Sequence, residues 1–75
     1  MSEHVWKMES AGVPYCKRVL RDGEIVGLLD QLSNGTWVLS DTAGRRVSHI
    51  PAQRTAQRCF TAAKRYITEK EARDA

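Results

Sequence analysis

The sequence predicts an α+β domain in which an antiparallel β-meander of three or four strands packs against one long C-terminal α-helix. Two features carry this expectation. Strand-like runs are punctuated by the turn dipeptides Asp22-Gly23 and Asn34-Gly35, the strongest short-range hairpin signals because both central positions of a type I′ turn need φ > 0. Apolar residues then recur with helical period between Ala52 and Ile67, a pattern no strand can use.

In chain order, residues 1 to 12 end in Ser10-Ala11-Gly12, which reads as a flexible break. Val5, Trp6 and Met8 before it mark an N-terminal arm or short edge strand laid on the domain. The domain proper is expected over 13–75, with strands at about 14–20, 25–32, 36–40 and 45–49 and a helix at about 51–69. Pro51 suits the first helical turn, where its missing N–H is not needed. Hairpins centred on the two turn dipeptides place Tyr15, Lys17, Val19, Val26, Leu28, Leu32, Trp37 and Leu39 on one sheet face, expected to be the helix side. Cys16, Arg18, Leu20, Ile25, Leu29, Gln31, Val38, Arg45 and Val47 fall on the other, uncovered face.

On a helical wheel Ala52, Ala56, Cys59, Phe60, Ala63, Tyr66 and Ile67 form a continuous apolar stripe. Its alanines allow a close approach to the sheet. Arg54, Arg58 and Arg65 fall within about 40° of one another on nearly the opposite side. After Thr68 the charges alternate in sign, and the helix end is expected to fray.

At 75 residues the chain has room for one small core. Its 41% hydrophobic and 28% charged residues give a globular composition. The longest apolar runs are too short to cross a bilayer and the N-terminus has no basic stretch followed by an apolar core, so a cytoplasmic protein is expected. Cys16 and Cys59 read as small buried hydrophobes rather than a disulfide framework.

No catalytic constellation is visible: there is no Gly-rich phosphate loop, no nucleophile elbow and no usefully spaced carboxylate pair. The nearest approach to a nucleophile is Cys59 with His49, and Cys59 lies on the apolar stripe. His4, Cys16, His49 and Cys59 have zinc-ligand chemistry without the short spacing of structural zinc sites. No enzyme activity, cofactor or metal is therefore predicted.

The charge distribution is more informative. Net charge is +3, but between Asp41 and Glu69 no acidic residue occurs, while Arg45, Arg46, Arg54, Arg58, Lys64 and Arg65 all fall there. Such segregation points to a nucleic acid, an acidic protein surface or an anionic membrane, and the expected partner is a nucleic acid or an acidic protein or ribonucleoprotein surface, with no membrane. A second candidate surface is the uncovered sheet face, with Arg18, Leu20, Ile25, Leu29, Val38 and Val47, which would serve a protein partner or a homodimer unless Val5, Trp6 and Met8 fold over it.

The stretch GTWVLSDTAGRRVSHIPAQRTAQRCFTAA resembles the strand-turn-strand-helix portion of the plant ethylene-response DNA-binding domain and of the arm-binding domain of tyrosine integrases. Gly35-Thr36-Trp37, Gly44-Arg45-Arg46, Ile50, Ala56, Cys59, Phe60 and Ala63 stand at matching places, over less than half of the chain. The Leu-Gly pair that precedes the helix in the plant domain is missing. That resemblance implies a sheet entering the DNA major groove, with Arg18 and Arg45 as contacts. By type the chain also resembles the small standalone proteins of bacteriophages and mobile elements, anti-CRISPR proteins among them, which implies stoichiometric blocking of a host-defence complex. The leading expectation is a non-enzymatic nucleic-acid-binding or nucleic-acid-complex-associated module using the basic helix face. The alternative is a small phage-encoded protein inhibitor or adaptor.

Overall fold

The computed structural model describes residues 3–74, so the first two residues of the expected arm and the last residue of the chain lie outside it. Four antiparallel strands, β1 (Trp6–Val13), β2 (Cys16–Arg21), β3 (Glu24–Gln31) and β4 (Trp37–Ser40), form one sheet in sequence order. A single helix, α1 (Ala56–Asp74), lies across β3 and β4. The predicted α+β class and meander-plus-helix architecture are those observed.

The arm is an eight-residue edge strand. Ser10-Ala11-Gly12 does not interrupt it: the register slips between Ser10 and Val13, with Gly12 at φ 92°. Such a bulge needs the left-handed conformation glycine adopts freely. Trp6 and Met8 pack against the core on the helix side of the sheet, so they do not cover the opposite face.

The register differs from expectation in β3, and the cause is a pair of one-residue insertions. Asp22 (φ 53°) and Gly23 (φ 84°) make the expected type I′ turn, and Arg21 pairs with Glu24 and Leu20 with Ile25. Val19 then pairs with Gly27, which leaves Val26 as the extra residue of a β-bulge. At the other end the loop holds three residues rather than two: Leu32 donates its N–H to Thr36 at 2.7 Å, Gly35 donates to Leu32 at 2.9 Å, and Gly35 takes φ 89°. Because side chains alternate, each slip moves the strand by one face. Leu29, expected on the uncovered face, is fully buried under the helix, whereas Leu28 lies on the far side. Tyr15, expected in the core, sits in the β1–β2 turn and is 58% exposed.

Gly27 is buried where β3 meets the helix. A Cβ there would lie 3.4 Å from Leu39 Cδ1 and 3.7 Å from Ile67 Cδ1, ordinary contact distances. Val19, Leu29, Leu39 and Cys59 are fully buried at the centre of the core, with Trp37, Val47, Phe60, Ala63 and Ile67 around them.

No fourth strand forms at 45–49, and the helix starts five residues later than expected. Both differences have one origin, the outer edge of β4. Arg46 bridges to Ser40, Val47 donates to the Leu39 carbonyl at 2.9 Å, and Gln53 exchanges both backbone hydrogen bonds with Trp37 at 2.7 and 2.8 Å. A Gln53 whose N–H and C=O are held by β4 cannot enter a helix, so Pro51 and Arg54 remain in the connection and Ala52 leaves the predicted stripe. Val47, expected on the uncovered face, is instead buried in the core. Thr55 begins the helix: its hydroxyl accepts the Arg58 N–H at 3.1 Å and its carbonyl accepts the Cys59 N–H at 3.1 Å, the geometry of an N-cap. At the other end Arg21 of β2 donates to Glu71, an anchor consistent with a helix that continues to Asp74 beyond the expected fraying point.

Candidate functional site: an arginine-lined edge and groove

The connection from Arg45 to Arg54 runs along the free edge of β4. Ser40 and Trp37, its two bridge partners, are three residues apart, so the Arg46 and Gln53 attachments lie about 10 Å from each other. Arg45, Arg46 and Arg54 project from this edge, and all three are exposed. The turn that delivers the first two is fixed by the Asp41 carboxylate, which accepts the N–H groups of Ala43 and Arg45 at 3.0 and 2.9 Å.

Arg58 and Arg65 continue the basic surface on the helix. They are seven residues apart, two turns or about 10 Å, and both are exposed. Between the helix and the connection lies a shallow groove of about 520 Å³, walled by Ile50, Pro51 and Gln53 on one side and by Arg58, Ala62, Arg65, Tyr66 and Glu69 on the other. The half-buried Tyr66 supplies its aromatic ring, and His49, an exposed residue, stacks against it at 5.1 Å with a 57° tilt. Residues 42–68 carry six cations and no carboxylate, whereas the rest of the chain carries six cations against nine carboxylates. The positive segment thus runs from the β4 edge onto the helix, with Arg58 and Arg65 lining one groove.

The sequence places no acid within the basic interval and leaves its arginines unpaired, but Arg65 reaches the first acid beyond it: its Nε donates to Glu69 at 3.2 Å, an exposed i,i+4 pair of a kind worth about 0.3–0.5 kcal/mol. A second expectation also changes. Lys64 does not belong to the arginine surface. It lies on the other flank of the helix, the one whose Glu71 reaches β2, and its ammonium sits 4.8 Å above the Phe60 ring. On that flank Lys17 lies 6.0 Å from the Trp37 ring centre and Arg21 5.7 Å from that of Trp6. These three cations cover aromatic edges of the core with their stems.

Arg58 occupies a costly position. It is the third residue after the Thr55 cap, and the first turn contains no acid. The positive end of the helix dipole disfavours a cation there by about 0.3–1 kcal/mol. Local rules broken in this way are expected where function sets the residue.

The far sheet face is less apolar than expected. Leu29 and Val47 have left it, and polar pairs share it: Arg18 with Glu9 at 3.3 Å, and Ser40 donating to Asp30 at 2.8 Å. Val38 is buried, Leu20 is half-buried, and only Ile25, at 49%, is a large exposed hydrophobe there. A second cleft, of about 400 Å³, opens beside Ile25, Val26, Tyr66 and Lys70, but Asp41, Glu71 and Asp74 line it, which disfavours an anionic ligand.

The cysteines lie on opposite faces of the sheet. Burial pushes the Cys59 thiol up to about 11, so it stays protonated at neutral pH and is a poor nucleophile. Cys16 is also raised, first by desolvation and then by its hydrogen bond with Asp30. Among the described residues no three His, Cys, Asp or Glu side chains converge on a point where a metal could bind, and no helix is long and apolar enough to cross a membrane.

The basic interval was legible in the sequence; the groove was not, because its outer wall depends on Gln53 pairing with Trp37. No protein-family model matches the chain, and comparison with curated proteins and with solved structures finds no match.

Proposed function

We propose that the protein is a non-enzymatic binding module that engages nucleic acid, alone or within a nucleoprotein complex, through Arg45, Arg46, Arg54, Arg58 and Arg65. The observation that carries this reading is the segregation of charge: five exposed arginines follow one another along the β4-edge connection and the outer side of α1, and among the described residues Glu69 is the one carboxylate that forms a side-chain ion pair with any of them. Arg58, held against the helix dipole, supports it. Phosphate oxygens suit an array of exposed guanidiniums, each of which can bind them in a bidentate fork as it can a carboxylate.

The resemblance to the ethylene-response and integrase domains would place the sheet in the major groove with Arg18 and Arg45 as contacts. Arg18 is engaged by Glu9, and Asp30 shares its face, so the β4 edge and the helix are favoured over the sheet face. A stoichiometric inhibitor of phage type would use the same arginines against an acidic protein surface.

The test is fluorescence anisotropy with labelled duplex and single-stranded DNA at 50 and 200 mM salt. Five phosphate contacts set an upper limit of about −4.5 for the duplex salt slope, or roughly a 500-fold loss of affinity over that range. The combined reversal Arg54→Glu, Arg58→Glu and Arg65→Glu should abolish binding while the fold, followed by circular dichroism, persists. No binding by the unaltered protein at 50 mM salt would end this reading.

A further inference from the structure

The nucleic-acid reading leaves the form of the polynucleotide open, and the groove beside the arginines narrows it. We propose that the groove between α1 and the 50–53 connection seats a single-stranded segment, with a base against Tyr66 and its flanking phosphates on Arg58 and Arg65. This inference rests on the proposed nucleic-acid function and adds the ligand's strandedness.

Three features carry it. The lining has an apolar part with an aromatic ring: Ile50, Pro51 and Ala62 stand beside Tyr66, Gln53 and Thr61 are its uncharged polar members, and the exposed His49 ring packs on Tyr66 at 5.1 Å. A paired duplex hides its base faces and has no use for such a lining, whereas an unpaired base presents a π-face to it. The dimensions also fit. From Arg58 to Glu69 the groove follows α1 for eleven residues, about 16 Å, long enough for a few extended nucleotides and too short and shallow to enclose a double helix. Finally, Arg58 and Arg65, both exposed, line the same groove from the helix side, within reach of a backbone whose base lies against Tyr66. The one carboxylate at the groove is Glu69, at its far end and paired with Arg65, so the entry near Arg58 is free of negative side chains. Charge excludes the second cleft from this role, since three carboxylates line it.

The experiment measures affinities for labelled dT12 and for a 12-base-pair duplex at the same salt, with the full chain and its variants. The unaltered protein should prefer dT12. Tyr66→Leu keeps an apolar side chain and removes the ring, and it should weaken dT12 binding by about 5- to 150-fold, the range for losing one stacked base, with the salt slope unchanged. Tyr66→Phe should restore binding. Arg58→Gln should instead lower the salt slope for dT12 by about 0.7. If Tyr66→Leu does not fold, His49→Ala probes the same ring pair from the exposed side and should also weaken dT12 selectively. Equal affinity for duplex and dT12, an unchanged dT12 affinity in folded Tyr66→Leu or His49→Ala, or preference for a poly-glutamate peptide overturns the inference. Duplex binding with a steep salt slope and no single-strand preference overturns it while leaving the nucleic-acid function intact; absence of binding to either probe removes both.

Discussion

Replacing Arg58 with Glu should move stability and binding in opposite directions. Arg58 stands three residues after the Thr55 cap, and its backbone N–H already bonds to the Thr55 hydroxyl at 3.1 Å. A Glu side chain at that position completes a capping box by reaching back to the Thr55 N–H. It also replaces a cation that opposes the helix dipole with an anion that complements it. Removing the unfavourable cation contributes about 0.3–1 kcal/mol, and the favourable anion contributes a similar amount at an exposed site. Together they predict a gain of about 0.6–2 kcal/mol. For a domain of this size each kcal/mol corresponds to about 4–8 °C in melting temperature, so the variant should melt roughly 2–16 °C higher by circular dichroism. The same change should cut the salt slope for duplex DNA by about one and weaken binding at 50 mM salt. A melting temperature equal to or below that of the unaltered protein would refute the claim that Arg58 is held at the cost of stability. Higher stability with unaltered binding would show that Arg58 lies outside the interface.

Further outcomes follow from the geometry. Glu69→Gln removes the one carboxylate at the groove and frees Arg65, so it should tighten DNA binding about twofold, the size of the exposed pair it removes. Leu29→Ala should cost about 2–5 kcal/mol in urea unfolding because Leu29 is fully buried, while Leu28→Ala, on the half-buried far face, should cost clearly less. Equal losses would contradict the register. Acid should destabilise the fold through two carboxyls held below their ordinary range: Asp22, chiefly by the Val5 N–H and then by His4, and Glu71, chiefly by Arg21. Because the unfolded chain binds those protons more readily, their stabilisation is complete above about pH 5 and is lost as pH falls through and below about 4. Asp22→Asn should flatten that part of the stability profile.

Much of the fold was legible because its signals are local. Asp22-Gly23 produced the expected turn, and the helical period from Ala56 to Ile67 produced the expected buried stripe. The errors arose where pairing is non-local. Nothing near Val26 announces a bulge; it shows only in the cross-strand pairing, where Leu20 faces Ile25 and Val19 faces Gly27. Pro51 looked like a helix start, but Gln53 two residues later is held by Trp37 on both sides of its backbone. The same distinction governs the site. The run of cations between Asp41 and Glu69 can be read directly, and the Arg65–Glu69 pair and the offset of Lys64 from Arg58 and Arg65 follow from helical spacing alone, whereas the groove beside Tyr66 exists only once the connection lies along β4.

The central claim is that the β4 edge and the adjoining face of α1 meet nucleic acid. Backbone amide chemical shifts recorded during titration with dT12 at 50 mM salt test it residue by residue. The largest changes should fall on Arg45, Arg46, His49 to Arg54, Arg58, Arg65 and Tyr66, with Lys7 to Glu9 and Cys16 to Leu20 nearly silent. Changes centred on Arg18, Leu20 and Leu28, with the arginine edge unmoved, would contradict it.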